Sequence, residues 1–142
     1  MADSSQITRG LVEYLRGDPA LRALMPDGVY LDRSPAGTSK FVIVSLVVGH
    51  DVPMFRERAF EEPLYLIKAV ELSTAAALNV DAAAARIDTL LDHQLIPMIG
   101  YSCKAIIRSE YVQYTEDDDR DPSISWRHAG GRYQVSAAAL TD

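Results

Sequence analysis

One cysteine, Cys103, stands among 142 residues. No disulfide can form within the chain, the paired thiolates of most structural zinc sites are missing, and a reducing compartment is expected. Long apolar runs are absent too, since nothing approaches the roughly 20 residues that span a bilayer. The opening Met1-Ala2-Asp3-Ser4-Ser5-Gln6 has neither the basic start nor the apolar core of a signal peptide. Those absences predict a soluble, cytoplasmic chain with no membrane partner. Positive charge is scarce as well: 14 Lys and Arg face 20 Asp and Glu, for a net charge of -6. That balance repels a phosphate backbone and removes the counterion release that drives nucleic-acid binding. No Walker loop, GxGxxG or GxSxG occurs, and His50, His93 and His128 have no HxxxH, HxH or HxxE spacing. No catalytic residue, metal-ligand set or cofactor is therefore assigned.

What is present is an ordinary globular composition, 48% apolar and 24% charged, outside the regime of disordered chains. The length suits one domain over residues 1–142. Ile7, Leu11, Tyr14 and Leu15 recur at helical spacing behind a Ser4 or Ser5 cap, and Gly17 stops the helix. Asp18-Pro19 then signals a second, short helix with Leu21, Leu24 and Met25 on its apolar side. After the turn Pro26-Asp27-Gly28, Val29-Tyr30-Leu31 reads as a brief strand and Ser34 to Ser39 as loop. Phe41 to Val48 is dense in β-branched residues and apolar on both faces, which predicts a central strand. Leu64 to Val70 is a second strand, and Gly49 to Pro63 between them reads as an unusually long loop.

An alanine-rich stretch follows, with a helix over Val80 to Gln94 that places Val80, Ala84, Ile87 and Leu91 on one stripe. Pro97 and Gly100 end it. Tyr101 to Tyr114 alternates as a strand, with Cys103, Ala105 and Ile107 on one face and Ile106, Val112 and Tyr114 on the other. Thr115 to Pro122 reads as an exposed acidic turn and Arg132 to Ala137 as the last strand. Gly130-Gly131 before it allows a bulge or a tight hairpin turn, and the bulge is the preferred reading. This order predicts an α+β fold: a mostly antiparallel sheet of about four strands with helices packed on one face.

Three places invite a chemical reading. Cys103 sits in a predicted strand, where a buried, inert thiol is the plain explanation and a partner for His93 or His128 the functional one. Glu116, Asp117, Asp118, Asp119 and Asp121 lack the alternating acids, central glycine and distal glutamate of a calcium loop. They form a solvated turn, or, copied around a ring, a negative rim or lumen. Met54, Phe55, Arg56, Arg58 and Phe60 in the long loop either fold back on the sheet or reach a neighbouring subunit, since aromatic residues, Met and Arg are enriched where proteins meet.

The segments Leu15-Arg16-Gly17-Asp18-Pro19-Ala20-Leu21-Arg22-Ala23-Leu24, Gly28-Val29-Tyr30, Phe41 to Val48, Tyr65 to Val70, Ile87 to Asp92 and Arg132 to Ser136 together give a layout that resembles tailed-bacteriophage tail-terminator or tail-completion proteins, a family of minor tail proteins. Nearly the whole chain takes part, through short patterns rather than an invariant signature. The stretch from Ser73 to Asn79 is longer than the family's usual strand-to-helix connection. The resemblance implies a small α/β fold with no active site and a homo-oligomeric ring, usually hexameric, on the head-proximal end of the virion tail. Its implied partners are the tail tube protein, the head-tail connector, and genome DNA that passes through the pore without specific binding. A head-closure or neck protein is the nearer alternative, and a small-molecule-binding domain or an enzyme using Cys103, His93 or His128 the more distant one.

Overall fold

The structure, a computed structural model, describes residues 3–54, 57–73 and 79–140. Helix α1 (Ser5–Arg16) buries Ile7, Leu11, Val12 and Leu15, a stripe set by the 3.6-residue period. Ser4 does not cap it with its side chain; its hydroxyl donates to the Glu61 carboxylate instead. Helix α2 (Pro19–Leu24) starts as the sequence predicts, with the Asp18 carboxylate accepting from the Leu21 amide at 2.8 Å. The same carboxylate accepts two hydrogen bonds from Arg86, at 2.7 and 2.9 Å, which ties α2 to α3 (Asn79–Leu91).

The strands are β1 (Val29–Leu31), β2 (Lys40–Val48), β3 (Asp51–Met54), β4 (Glu57–Glu61), β5 (Leu64–Ser73), β6 (Tyr101–Asp117) and β7 (Ser125–Ala139). They form one sheet in the order β1-β2-β5-β7-β4-β3, with β6 on the remaining side of β7. The α+β class stands, but the sheet is mixed and larger than the four mostly antiparallel strands expected. β1 runs parallel to β2 because the loop between them carries the chain back across before β2 begins. The Asp27 carboxylate fixes that return by accepting from the Ser39 and Lys40 amides at 2.8 and 3.0 Å.

Two further expectations are corrected. The segment Gly49 to Pro63 is no plain loop but holds the β3–β4 hairpin, with Pro53 on an outer strand where a missing N–H is tolerated. β2 lies inside the sheet between β1 and β5, as expected, and β7 is likewise paired on both sides, by β5 and β4 on one and β6 on the other. And β7 runs through Gly130 and Gly131 without a register break against β5, so they are neither a bulge nor a turn. Where β7 pairs with β6 the bulges lie on β6, at Lys104 and Ser109. The first of them turns Cys103 and Ile106 to the same core side and leaves Ile107 40% exposed, which undoes the simple alternation read from the sequence.

The helices share one face of the sheet. There Val42, Val44, Tyr65, Ile67, Ala129, Tyr133 and Val135 meet α1, α2 and α3, and Ala83 and Ala84 let α3 approach closely. Among the described residues the opposite face carries a small cluster of Phe41, Ile43 and Val70 with Tyr30 and Trp126 packed on it. Among the described residues two carboxylates are buried in this frame, Glu61 and Glu71: Glu71, 2% exposed, accepts from the Val80 amide at the start of α3 at 3.2 Å and faces Lys40 at 3.5 Å. A carboxylate at a helix N-terminus is favourably placed against the helix dipole.

Candidate assembly surfaces

The long strand β6 has β7 on one side and no described strand on the other. Its first half is nonetheless covered. The Asp92 carboxylate accepts from the Arg108 amide at 2.8 Å, and the His93 amide donates to the Ile106 carbonyl at 2.7 Å. The Arg108 amide foremost, and then the hydrogen bond with the His93 ring, hold the Asp92 carboxyl below the usual carboxylate range. From Ser109 to Asp117 the outer edge is open, and Tyr111 and Tyr114 stand 53% and 39% exposed along it. An open edge is a template for another strand.

At the far end of β6 lies the acidic turn. Glu116 and Asp117 are still in the strand, while Asp118, Asp119 and Asp121 are in the turn proper. Asp118 works locally: it accepts from the Arg120 and Asp121 amides at 2.8 and 3.2 Å and from the Trp126 indole at 3.1 Å, and those bonds lower its pKa. Asp121 accepts from the Ser123 amide and hydroxyl. Asp119 and Asp121 are exposed, as are Glu116 and Asp117. The turn is thus built by its own carboxylates and still presents a negative surface.

On the open sheet face beside that turn, the His128 ring stacks on Tyr114 with centroids 4.4 Å apart and an interplanar angle of 10°. Lys68 donates to the Tyr114 hydroxyl at 2.7 Å. His128 is 7% exposed and neither ring nitrogen has a hydrogen-bond partner among the described residues. Burial, and then the Lys68 charge, push its pKa down to about 4, so the ring is neutral at pH 7. The Glu116 carboxylate is 3.8 Å from Nε2, beyond hydrogen-bonding reach.

The hairpin lies at the other end of β7, joined to the main sheet by the Glu61–Ala137 pairing. Phe60 is 39% exposed. Phe55 and Arg56 fall outside the described residues, as do the side chains of Met54 and Arg58. Between α1 and the ends of β1 and β2 runs a groove of about 810 Å³, lined by Thr8, Val12, Arg16, Leu31, Leu46 and Tyr65 among others. Leu31 and Leu46 are each 51% exposed in it. Sequence reasoning missed this groove because a β-branched run reads as buried throughout, while the exposure of Leu46, on the same face as Val42 and Val44, depends on how far α1 extends over the sheet.

The residues suspected of chemistry are kept apart. Cys103 is buried on the helix face and pairs with Ala137, whereas His128 lies on the opposite face and nine positions back along β7, about 30 Å at strand rise. His93 is exposed and pairs with Asp92 at 2.9 Å. Among the described residues no group of three or more His, Cys, Asp or Glu side chains converges as a metal site.

No protein-family model matches this chain, and no curated protein matches it. A chain of the virion of a native gene transfer agent particle has a similar fold, with a TM-score of 0.64 at 15% identity over 95% of this chain and 98% of that one. A second solved structure is similar over the full length of both chains, with a TM-score of 0.62 at 8% identity. At such identities the likeness is one of fold.

Proposed function

We propose that this protein is a structural part of a phage-like particle, and that it forms a ring, usually six-fold in such proteins, that caps the head-proximal end of a tail tube. The observation that carries this reading is the end-to-end likeness of fold to a virion chain of a gene transfer agent particle. The separation of Cys103, His93 and His128 fits it, as do the apolar and aromatic side chains left on the surface. The ring works by shape. One face matches the last layer of tail tube protein, and the other presents a different surface to the head-tail connector, so closed symmetry removes the template for further addition.

In this reading Met54, Phe55, Arg56, Arg58 and Phe60 of the hairpin segment reach the neighbouring subunit. Glu116, Asp117, Asp118, Asp119 and Asp121 face the pore or one rim, where like charge lets genome DNA pass without a bound state. The chain would thus reside at the head-proximal end of the tail in the virion. A neck protein of the head side is the competing assignment, because a place in a virion does not say which part. Co-sedimentation decides: binding to purified tail tubes and not to heads is the expected result, with overlong tubes in particles that lack the chain. Binding to heads alone would move the protein to the neck.

A further inference from the structure

Two features of the sheet lie at its opposite corners. The β3–β4 hairpin extends from the sheet beside Ala137, near the end of β7, and the open edge of β6 ends at Asp117, paired with Ser125 at the start of β7. Twelve strand positions separate Ser125 from Ala137, about 40 Å. A single copy cannot bring its own hairpin to its own open edge. Two copies can.

We propose that the β3–β4 hairpin of one copy adds to the open outer edge of β6, from Ser109 to Asp117, in the next copy. This deepens the reading of the hairpin as a subunit bridge, and rests on it, by naming the surface that receives it. The charges favour this occupant. The edge carries Glu110, Glu116 and Asp117 and no Lys or Arg, while the hairpin segment brings Arg56 and Arg58 around Glu57; the other acids of the hairpin, Asp51 and Glu61, stand at the ends of the segment, and Glu61 is buried. Pairing of β6 with a second β6 centred on Gln113 would set Glu110 against Glu116 twice, and like charges directly opposite destabilise a sheet. The Ser109 bulge and the Asp92 and His93 bonds close the strand on its N-terminal side, so an incoming strand finds its register from Glu110 onward. Main-chain pairing supplies affinity, and the exposed Tyr111 and Tyr114 supply the aromatic anchors typical of such contacts. Because donor and acceptor are different patches, the contact is head to tail, the kind that closes into a ring when the rotation allows.

Directed cross-linking tests it. In a Cys103→Ala background, one preparation carries Phe60→Cys and another Gln113→Cys. Equal mixing and mild oxidation should yield a covalent dimer that neither preparation gives alone, and a chain with both cysteines should yield a ladder. Reversal of the edge by Glu110→Lys with Glu116→Lys should weaken self-association about tenfold. Combination with Arg56→Glu and Arg58→Glu should restore it, with circular dichroism unchanged throughout. Dimers of the Gln113→Cys chain with itself, or a sedimenting oligomer without mixed cross-links, would overturn the docking while leaving the assembly reading in place. Mixed cross-links in a protein that binds neither tubes nor heads would sustain the docking and end the virion reading. No oligomer and no cross-link, alone or with tail tubes, would end both.

Discussion

Asp18 and Gly130 are each fixed by the geometry around them. Asp18 caps α2 and holds Arg86 of α3, so Asp18→Ala should lower stability by about 1–2 kcal/mol in chemical denaturation, at the upper end of lost caps. A Cβ on Gly130 would lie 2.1 Å from the Ile67 carbonyl oxygen and 2.5 Å from the Lys68 Cα. Backbone cannot yield as a side-chain tip does, so Gly130→Ala should cost about 3 kcal/mol. His128 answers to pH. Its folded pKa of about 4 lies below the ordinary histidine value of 6.5, so the unfolded chain binds the extra proton first. Stability from this group is complete above pH 6.5 and is lost as pH falls toward 4. The shifted carboxyls of Asp18, Asp27, Asp92 and Asp118 start from 3.8 and are lowered, so they act below that window. Lys68, Tyr114 and Glu116 are the polar groups facing the ring. The melting temperature should fall between pH 6.5 and 4, and His128→Gln should flatten that slope; an equal slope in both proteins would refute the assignment.

At the scale of elements, β6 separates what was legible from what was not. The Lys104 bulge turns Ile106 fully inward and leaves Ile107 half out. Ile106→Ala should therefore cost about 2–4 kcal/mol and Ile107→Ala well under 1. Equal losses would mean that the strand keeps plain alternation. A bulge leaves no mark in composition, because one extra residue is placed by the tertiary fit of β6 over β7 and not by local propensity. The helices were readable for the converse reason. Val80, Ala84, Ile87 and Leu91 are all buried, and Asp18-Pro19 starts α2, since caps and periodicity act within one turn of chain. Gly130-Gly131 shows the ambiguity of glycine: the pair signals a backbone need, but here the need is close approach of β5 and β6 on either side, not a bend. The β3–β4 hairpin stayed hidden because Pro53 and interleaved charges weaken its strand pattern, and its pairing is fixed by β7, distant in sequence.

For the whole molecule, helices cover one sheet face and leave the other with a thin cluster, an open strand edge and a hairpin joined by a single pairing. That asymmetry is where the account of assembly begins. The acidic turn was visible in sequence as a run of carboxylates, but the division of labour within it was not. Asp118 builds the turn, while Asp119 and Asp121 leave charge on its surface. The groove by Leu31 and Leu46 and the stack of Tyr114 on His128 arise from pairs remote along the chain, which no local pattern encodes.

In the proposed function the chain acts by associating with copies of itself at the end of a tube. Mass in solution tests it most directly, measured by analytical ultracentrifugation over a wide range of concentration, with and without purified tail tube protein. A closed species of one fixed copy number, formed alone or when tubes are present, is the predicted result. A monomer at every concentration in both conditions would contradict it.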